Sequence, residues 1–303
     1  MNRLDREARS KILHLLCEGS SIRAVTRITG ASKNTVIKLM LDAGRACHDF
    51  HHWKVRGLKS QRVQVDEIWS FVYSKQANAP KTKKQVEGRG DCWTWTAIDA
   101  DSKFLISYYV GDRSGESAFF FLTDLRDRLA NRVQLTSDGW RAYRDAVGDT
   151  FGEAAVDYAQ LVKIYGSPTD GRPGSPERRY SPAICTGAKP FKVYGNPKRE
   201  DVSTSYAERQ NLNLRMHNRR FTRLTNAFSK KLENHAWGVA LFTFYYNFVR
   251  IHKTLRVTPA MAAGVTDKLW EMSDLVQVIE AWEAKRAETK KLTATAEQGP
   301  WKD

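Results

Sequence analysis

Three acidic residues occupy positions that an ordinary surface carboxylate explains poorly. Asp66 lies in Gln64-Val65-Asp66-Glu67-Ile68-Trp69, within an alternating stretch rich in Val, Ile and aromatics that reads as a strand over Arg62–Tyr73. A carboxylate facing a sheet core is costly unless it is paired or bound to a metal. Asp138 ends the short apolar run Leu135-Thr136-Ser137-Asp138-Gly139-Trp140, and ligand-binding residues favour the carboxyl ends of strands in α/β sheets. Glu208 lies in the helical stretch Tyr206-Ala207-Glu208-Arg209-Gln210-Asn211. Three such carboxylates, brought together, bind two hard cations through oxygen. Two ions about 3.5–4 Å apart activate an attacking hydroxyl and stabilise the leaving 3′ oxygen of a phosphodiester. Each residue also has an ordinary reading. Asp66 could accept backbone N–H groups, Asp138 could cap a helix over Trp140–Val147, and Glu208 could pair with Arg209 or Arg215 on a surface. Taken singly the ordinary readings are the stronger; taken jointly, between two basic ends, the functional one prevails. Glu67 adjoins Asp66 on the strand and so faces the opposite side.

The elements that must position these residues follow from the hydrophobic pattern. Arg62–Tyr73, Cys92–Asp99, Lys103–Val110, Arg132–Ser137 and Val156–Ile164 read as strands, with a helix over Gly115–Ala130. That is an α/β arrangement, a mixed sheet flanked by helices. Residues 165–200 hold Pro168, Gly171, Pro173, Gly174, Pro176, Pro182, Pro190 and Pro197 among many polar residues, and read as a long irregular insertion. Helices return over Thr204–Met216 and Phe228–Ile251, the second apolar nearly all round and therefore buried. Residues 265–285 form a last amphipathic helix, and the Ala/Lys/Thr-rich end reads as disordered.

Ahead of the strands, residues 4–17, Ile22–Ile28 and Lys33 to about Ala46 read as helices, with Ser21 and Ser32 as caps and Gly30 as a stop. Helix, short Gly-containing turn, helix is the layout of a helix-turn-helix, whose recognition positions would be Ser32, Lys33, Asn34, Thr35 and Lys38. An ordinary three-helix bundle with a solvated face is the alternative. The segmentation is thus 1–47, an all-α helix-turn-helix; 48–61, a linker; 62–264, the α/β domain; and 265–303, a C-terminal helix and tail. In the linker, His48, His51 and His52, with Cys17 and Cys47, could supply zinc ligands, but the spacing matches no common zinc module.

The chain has 49 Lys and Arg against 34 Asp and Glu, a formal net charge of +15. Residues 1–60 carry twelve Lys/Arg against five Asp/Glu, and residues 201–260 ten against three. Two basic ends around a more balanced middle suggest two nucleic-acid contacts flanking a core. No run of eighteen apolar residues and no basic-then-apolar leader is present, so the expectation is a cytoplasmic, nucleoid-associated protein without a membrane partner. Four scattered cysteines with no CxxC pair exclude a disulfide framework.

Together the motifs carry a resemblance. Val65-Asp66-Glu67-Ile68-Trp69, Ser137-Asp138-Gly139-Trp140-Arg141-Ala142-Tyr143 and Ser205-Tyr206-Ala207-Glu208-Arg209-Gln210-Asn211 resemble the three acidic motifs of DDE transposases. The basic block Arg219 to Phe228, the segment Tyr245 to Leu255 and Thr258-Pro259-Ala260 resemble the tail of such catalytic domains. The match is nearest to the insertion-sequence-one family of bacterial elements, within the RNase H-like and retroviral integrase superfamily, and spans residues 62–264. The resemblance implies an RNase H-like catalytic domain with an N-terminal helix-turn-helix, acting as a homo-oligomer on double-stranded DNA at transposon ends and target. It implies that Asp66, Asp138 and Glu208 are catalytic and hold two Mg2+ or Mn2+ ions, with Asp66 bridging both. Water would cut at the transposon end, and the freed 3′-OH would attack target DNA. Lys33, Asn34, Thr35, Lys38, Arg209, Arg215, Arg219, Arg220 and Arg223 would contact DNA. One departure is that sixty-nine residues separate Asp138 from Glu208, the surplus being the 165–200 stretch; Glu200 and Asp201 lie nearby without comparable flanks. The alternatives are an RNase H-like nuclease or resolvase, and a non-catalytic DNA-binding regulator derived from a transposase.

Overall fold

Side-chain caps set the first three helices. In the computed structural model, which describes residues 4–81, 86–166, 184–222 and 225–297, Asp5 accepts from the Ala8 N–H at the start of α1 (Arg6–Cys17). Ser21 does the same for α2 (Ile22–Thr29) and Ser32 for α3 (Lys33–Lys54). Gly30, at φ 71°, ends α2 in the left-handed conformation that only glycine adopts without cost. α2 and α3 start where the sequence places them, and α1 starts at Arg6 instead of residue 4. The third runs on to Lys54, however, so residues 48–54 are helical and not linker. Ala43, Ala46, Cys47 and His51 continue its buried face, and no Gly or Pro interrupts it after Gly44.

The chain forms two compact units: Arg56–Trp69 with Cys92–Asn211, and Met1–Val55 with Ser70–Asp91 and Leu212–Asp303. The divisions fall at other places than those read from the sequence, because the first helices pack on C-terminal ones. In this mainly helical unit, α3 packs along a later helix, Leu232–Phe244, which continues as a π-helical turn over Tyr245–Val249. Phe50 meets Phe244, Phe248 and Trp270, each with ring centroids 5.3 Å apart. α1 packs on the last helix, Met272–Glu297, where the buried Arg9 is paired with Glu280 and Glu283. That helix runs well past residue 285, into the segment expected to be disordered. Its Ala and Lys residues are strong helix formers.

The other unit is built on a six-stranded mixed sheet of order β3-β2-β1-β4-β5-β6. The strands are β1 (Arg62–Val72), β2 (Gly90–Asp99), β3 (Leu105–Gly111), β4 (Gln134–Asp138), β5 (Asp157–Gly166) and β6 (Ile184–Tyr194). β1, β4 and β5 pair in parallel, while β2–β3 and β5–β6 are antiparallel. Val63, Gln64 and Val65 are all buried, because a parallel strand at the sheet centre is covered on both faces. Helices α4 (Gly115–Arg128) and α5 (Arg141–Phe151) pack together and flank the sheet, over a core that includes Trp95, Phe121, Leu125 and Leu135. β6 corrects the reading of 165–200 as wholly irregular. Its Gly187 and Pro190 mask the strand pattern, and Pro190 is accommodated because β6 is an edge strand. Residues 167–183 of that stretch lie outside the described residues. Helix α6 (Ser205–His217) follows, then α7 (Leu232–Phe244), the single turn α8 (Pro259–Ala262) and α9 (Met272–Glu297). Among the described residues no helix is long and apolar enough to cross a membrane.

The α3–α7 contact depends on Gly44. A Cβ there would lie 2.5 Å from Trp237 Cβ and 2.8 Å from its carbonyl carbon. Replacing a helical Gly by Ala otherwise gains about 1 kcal/mol, whereas forcing atoms into a packed site costs about 1–3 kcal/mol. Gly44→Ala is therefore expected to lower the stability measured by chemical denaturation. A gain in stability would show that the two helices separate freely.

Candidate functional site

The positions of Asp66 and Asp138 follow from strand register. The parallel pair β1–β4 matches Gln64 with Thr136. Two residues further along each strand come Asp66 and Asp138, so the two carboxylates are level on neighbouring strands and, with the period of two, on the same face. Asp138 in turn pairs with Leu161 of β5, and Lys163 lies two residues beyond on that face. Lys163 forms an ion pair with Glu208 of α6, which brings the third carboxylate over the same surface. The burial and the neighbouring charges felt by Asp66 include those of both Asp138 and Glu208.

α6 is fastened to β1 at two successive turns. The buried Gln64 side chain accepts from the N–H groups of Tyr206 (2.8 Å) and Ala207 (3.2 Å), satisfying two free donors at the helix start. One turn after Glu208, Asn211 Nδ2 donates to Asp66 Oδ2 at 2.8 Å. Asp66 Oδ1 accepts from the Glu67 N–H at 2.9 Å. The Asn211 carbonyl oxygen is buried with no hydrogen-bond partner. Gln64 and Asn211 were not singled out from sequence. The signals for them were there: Gln64 is two residues before Asp66 on a strand, and Asn211 three after Glu208 on a helix.

Asp66 is strained as an anion. Burial first, then the charge of Glu67, and to a smaller degree those of Asp138 and Glu208, raise its carboxyl to about 7, against the stabilising Glu67 N–H. Glu67 itself points away, as expected, into a buried set of its own. It accepts from Tyr143 Oη (2.7 Å) and Arg113 Nε (2.8 Å). Burial and the charge of Asp138 raise Glu67 too, and these two donors oppose that shift. The Arg113 guanidinium rests over the rings of Trp93 and Trp140, at 4.8 and 5.0 Å from their centroids, and lies 4.0 Å from Asp138 Oδ2. Arg113 and Lys163 were missed from sequence, since nothing in their spacing links them to the carboxylates, and Tyr143, though inside the Asp138 motif, was given no role there.

The ordinary readings are partly met. Asp138 Oδ1 accepts from the Trp140 N–H at 3.0 Å, a turn contact, but α5 has no side-chain cap. Glu208 pairs with Lys163 and accepts from Thr204 Oγ1, instead of pairing with Arg209 or Arg215. Among the described residues no three His, Cys, Asp or Glu side chains are grouped closely enough to hold a metal ion. Carboxylate oxygens are nonetheless the donor type that a hard cation takes. Asp66, Asp138 and Glu208 share one surface with Lys163, and burial and neighbouring negative charge oppose ionisation of Asp66. Such an excess of oxygen charge is what a divalent ion neutralises.

The remaining candidates are dispersed. Lys33 and Asn34 are exposed at the start of α3; Thr35 shares a hydrogen bond with Ser32, and Lys38 pairs with Asp42. Arg209 is exposed on α6 and Arg215 half-buried. α6 ends at His217, so Arg219 belongs to a separate 3-10 turn and does not extend the helical stripe. Arg220 is a correction. Its guanidinium turns inward, donating to Ser229 Oγ at 2.9 Å and resting on the Met40 sulfur, and burial lowers it to about 10. It serves packing rather than phosphate contact. Arg223 lies outside the described residues. Asp201 pairs with Arg62 at 2.7 Å, at the start of β1 and four residues before Asp66.

No protein-family model matches the chain, and no curated protein matches it. Solved structures with similarity include a chain of the simian T-cell lymphotropic virus intasome in complex with PP2A regulatory subunit B56 gamma. That match has 14% identity over 83% of this chain and 73% of that one, with a TM-score of 0.38. The piggyBac transposase synaptic complex with hairpin DNA matches at 12% identity over 95% and 74%, TM-score 0.38. The Mos1 transposase paired-end complex with left transposon end matches at 13% over 49% and 58%, TM-score 0.19; the chain spans less than two thirds of that protein's length.

Because the Asp66 carboxyl is raised to about 7 from an ordinary 3.8, the unfolded chain loses this proton at lower pH than the folded one. The neutral site keeps its full stability below about pH 4, and the stability falls as pH rises toward 7 and stays lowered above it, by at most about 4 kcal/mol. In chelator, Asp66→Asn is expected to melt above the parent at pH 8 and level with it near pH 4. A loss of stability at both pH values would make the carboxylate a structural hydrogen-bond acceptor.

Proposed function

We propose that the chain is a DDE-type DNA transposase with an RNase H-like catalytic domain, related to bacterial insertion-sequence enzymes. The observation that carries this reading is the placing of Asp66 and Asp138 level on adjacent parallel strands, with Glu208 held over the same face by Gln64 and Asn211. The three motifs that resemble the family supply these same residues, and the +15 charge suits a DNA substrate.

In this reading Asp66, Asp138 and Glu208 would hold two Mg2+ or Mn2+ ions. Bound there, such ions supply Lewis-acid activation of the attacking hydroxyl and stabilise the leaving 3′ oxygen. Asn211 orients the Asp66 carboxylate, and Gln64 sets the height of the Glu208 turn. Lys163 exchanges its carboxylate partner for a phosphate oxygen, and Arg113 keeps Glu67 neutralised so that it does not compete. The N-terminal helices bind the transposon ends through Lys33 and Asn34 at the α3 start, while Arg209 and Arg215 contact the backbone. Homo-oligomeric assembly would bring two ends together.

The test uses a duplex carrying the sequences that flank the coding region, with Mn2+ binding measured by calorimetry on the same preparations. Asp66→Asn and Glu208→Gln should lose divalent-dependent cleavage while gel-shift affinity stays within about twofold. Asn211→Ala should weaken Mn2+ binding about 10–100-fold. Asp201→Asn should behave as the parent. Cleavage that survives Glu208→Gln but not Asp201→Asn would move the third carboxylate. Cutting of four-way junctions without strand transfer would favour a resolvase.

A further inference from the structure

The helical unit carries a second basic surface, lined by none of the residues assigned a functional role above. The C-terminal half of α3 and the middle of α9 wall a groove of about 850 Å3. On α3 the lining residues Ala46, Asp49, Phe50, Trp53 and Lys54 recur at the three- and four-residue spacing of one helix face. On α9 the lining positions run at the same spacing from Val278 to Thr293, and include Trp282, Lys285, Arg286 and Lys290. The floor is apolar and the rim is cationic.

Two indoles stand in this groove in different states. Trp282 is anchored: its Nε1–H donates to Asp49 Oδ2 at 2.8 Å, and the Arg286 guanidinium lies 5.1 Å from its ring centroid. Trp53 is 76% exposed, the most exposed large hydrophobic residue among those described, with the His52 ring centroid 5.0 Å from its own. Four cations, Lys54, Lys285, Arg286 and Lys290, share the groove with one carboxylate, Asp49, which the Trp282 N–H already engages. Glu283, on another face of α9, is held by Arg9.

We infer that this groove binds an unpaired nucleic-acid strand, with a base stacked on Trp53 and the phosphates along Lys54, Lys285, Arg286 and Lys290. Cations interleaved with aromatic faces are the physical recipe for single-strand binding. Stacking is sequence-tolerant because every base has a π-face, and the charges follow the backbone. A second copy of the chain would bring like charge against these four cations. A duplex keeps its bases stacked inside and presents no free face to Trp53. The inference does not depend on the carboxylate site, and its test is arranged so that the two fail separately.

The experiment measures binding of the full chain to a labelled oligo-dT strand of about twelve nucleotides, and to a duplex of the same length, by fluorescence anisotropy over a range of salt. Trp53→Ala should weaken single-strand binding about tenfold and leave duplex binding nearly unchanged, and Trp53→Phe should restore most of the loss. Lys285→Glu with Arg286→Glu should weaken single-strand binding and flatten its salt dependence. The binding is measured without divalent ion, so its outcome stands whatever the fate of the catalytic proposal. Trp53 is solvent-facing, so its substitution leaves the core intact, as a melting curve checks. Unchanged oligo-dT affinity in Trp53→Ala overturns the inference. So does a change in sedimentation alone, which would make the groove a contact between copies. Tighter strand binding on removal of residues 298–303, with no effect of Trp53→Ala, overturns it as well, by making the chain's own tail the occupant.

Discussion

A carboxylate held largely out of water near the middle of a mixed sheet has to be compensated, and the sheet-based unit is arranged around that requirement at Asp66. One oxygen takes the N–H of the next residue and the other takes the amide of Asn211. These neutral donors offset only part of the cost of burial, because three further carboxylates act on the same region. Strand order makes this unavoidable. With β1 between β2 and β4 in a mixed sheet, a side chain at position 66 is flanked on both sides by backbone, and its neighbour on β4 is Asp138.

The same constraint explains why α6 is tied so closely to β1. A helix that supplies a third carboxylate must be set in height and rotation, since a shift of one residue turns Glu208 by 100° around the axis. Gln64 settles the height by accepting from two N–H groups at the helix start, and Asn211 settles the rotation by reaching Asp66. Both contacts use neutral amides, which add no charge to a region already overloaded with it. Lys163 then balances Glu208 from β5. Arg113, between two tryptophans, keeps Glu67 on the far face from adding its full charge to the shared one.

The helical unit follows a different logic. It brings together segments from both ends of the chain. α3 lies on α7 through Gly44, and α1 lies on α9 through the buried Arg9 pair. Extension of α3 and α9 beyond their expected ends is what creates the Trp53–Trp282 groove. Neither helix end alone would form a concave surface.

Local patterns determined a good deal. The caps at Ser21 and Ser32, the stop at Gly30, five of the six strands and the buried helix around Phe242 were all legible, because capping and hydrophobic period are encoded within a few residues. So were Asp66, Asp138 and Glu208 as candidates, through the motifs around them. Other features needed the tertiary structure. β6 was hidden because an edge strand tolerates Gly187 and Pro190, which locally read as breakers. The inward turn of Arg220 could not be seen, since a guanidinium looks the same in sequence whether it meets Met40 and Ser229 or a phosphate. The roles of Gln64, Asn211, Lys163 and Arg113 arise from contacts between residues far apart in the chain, and the register of β1 on β4 decides them. Sequence determines which side chains are available and which face of its own element each occupies; only the packing of elements decides which charges must share a low-dielectric space.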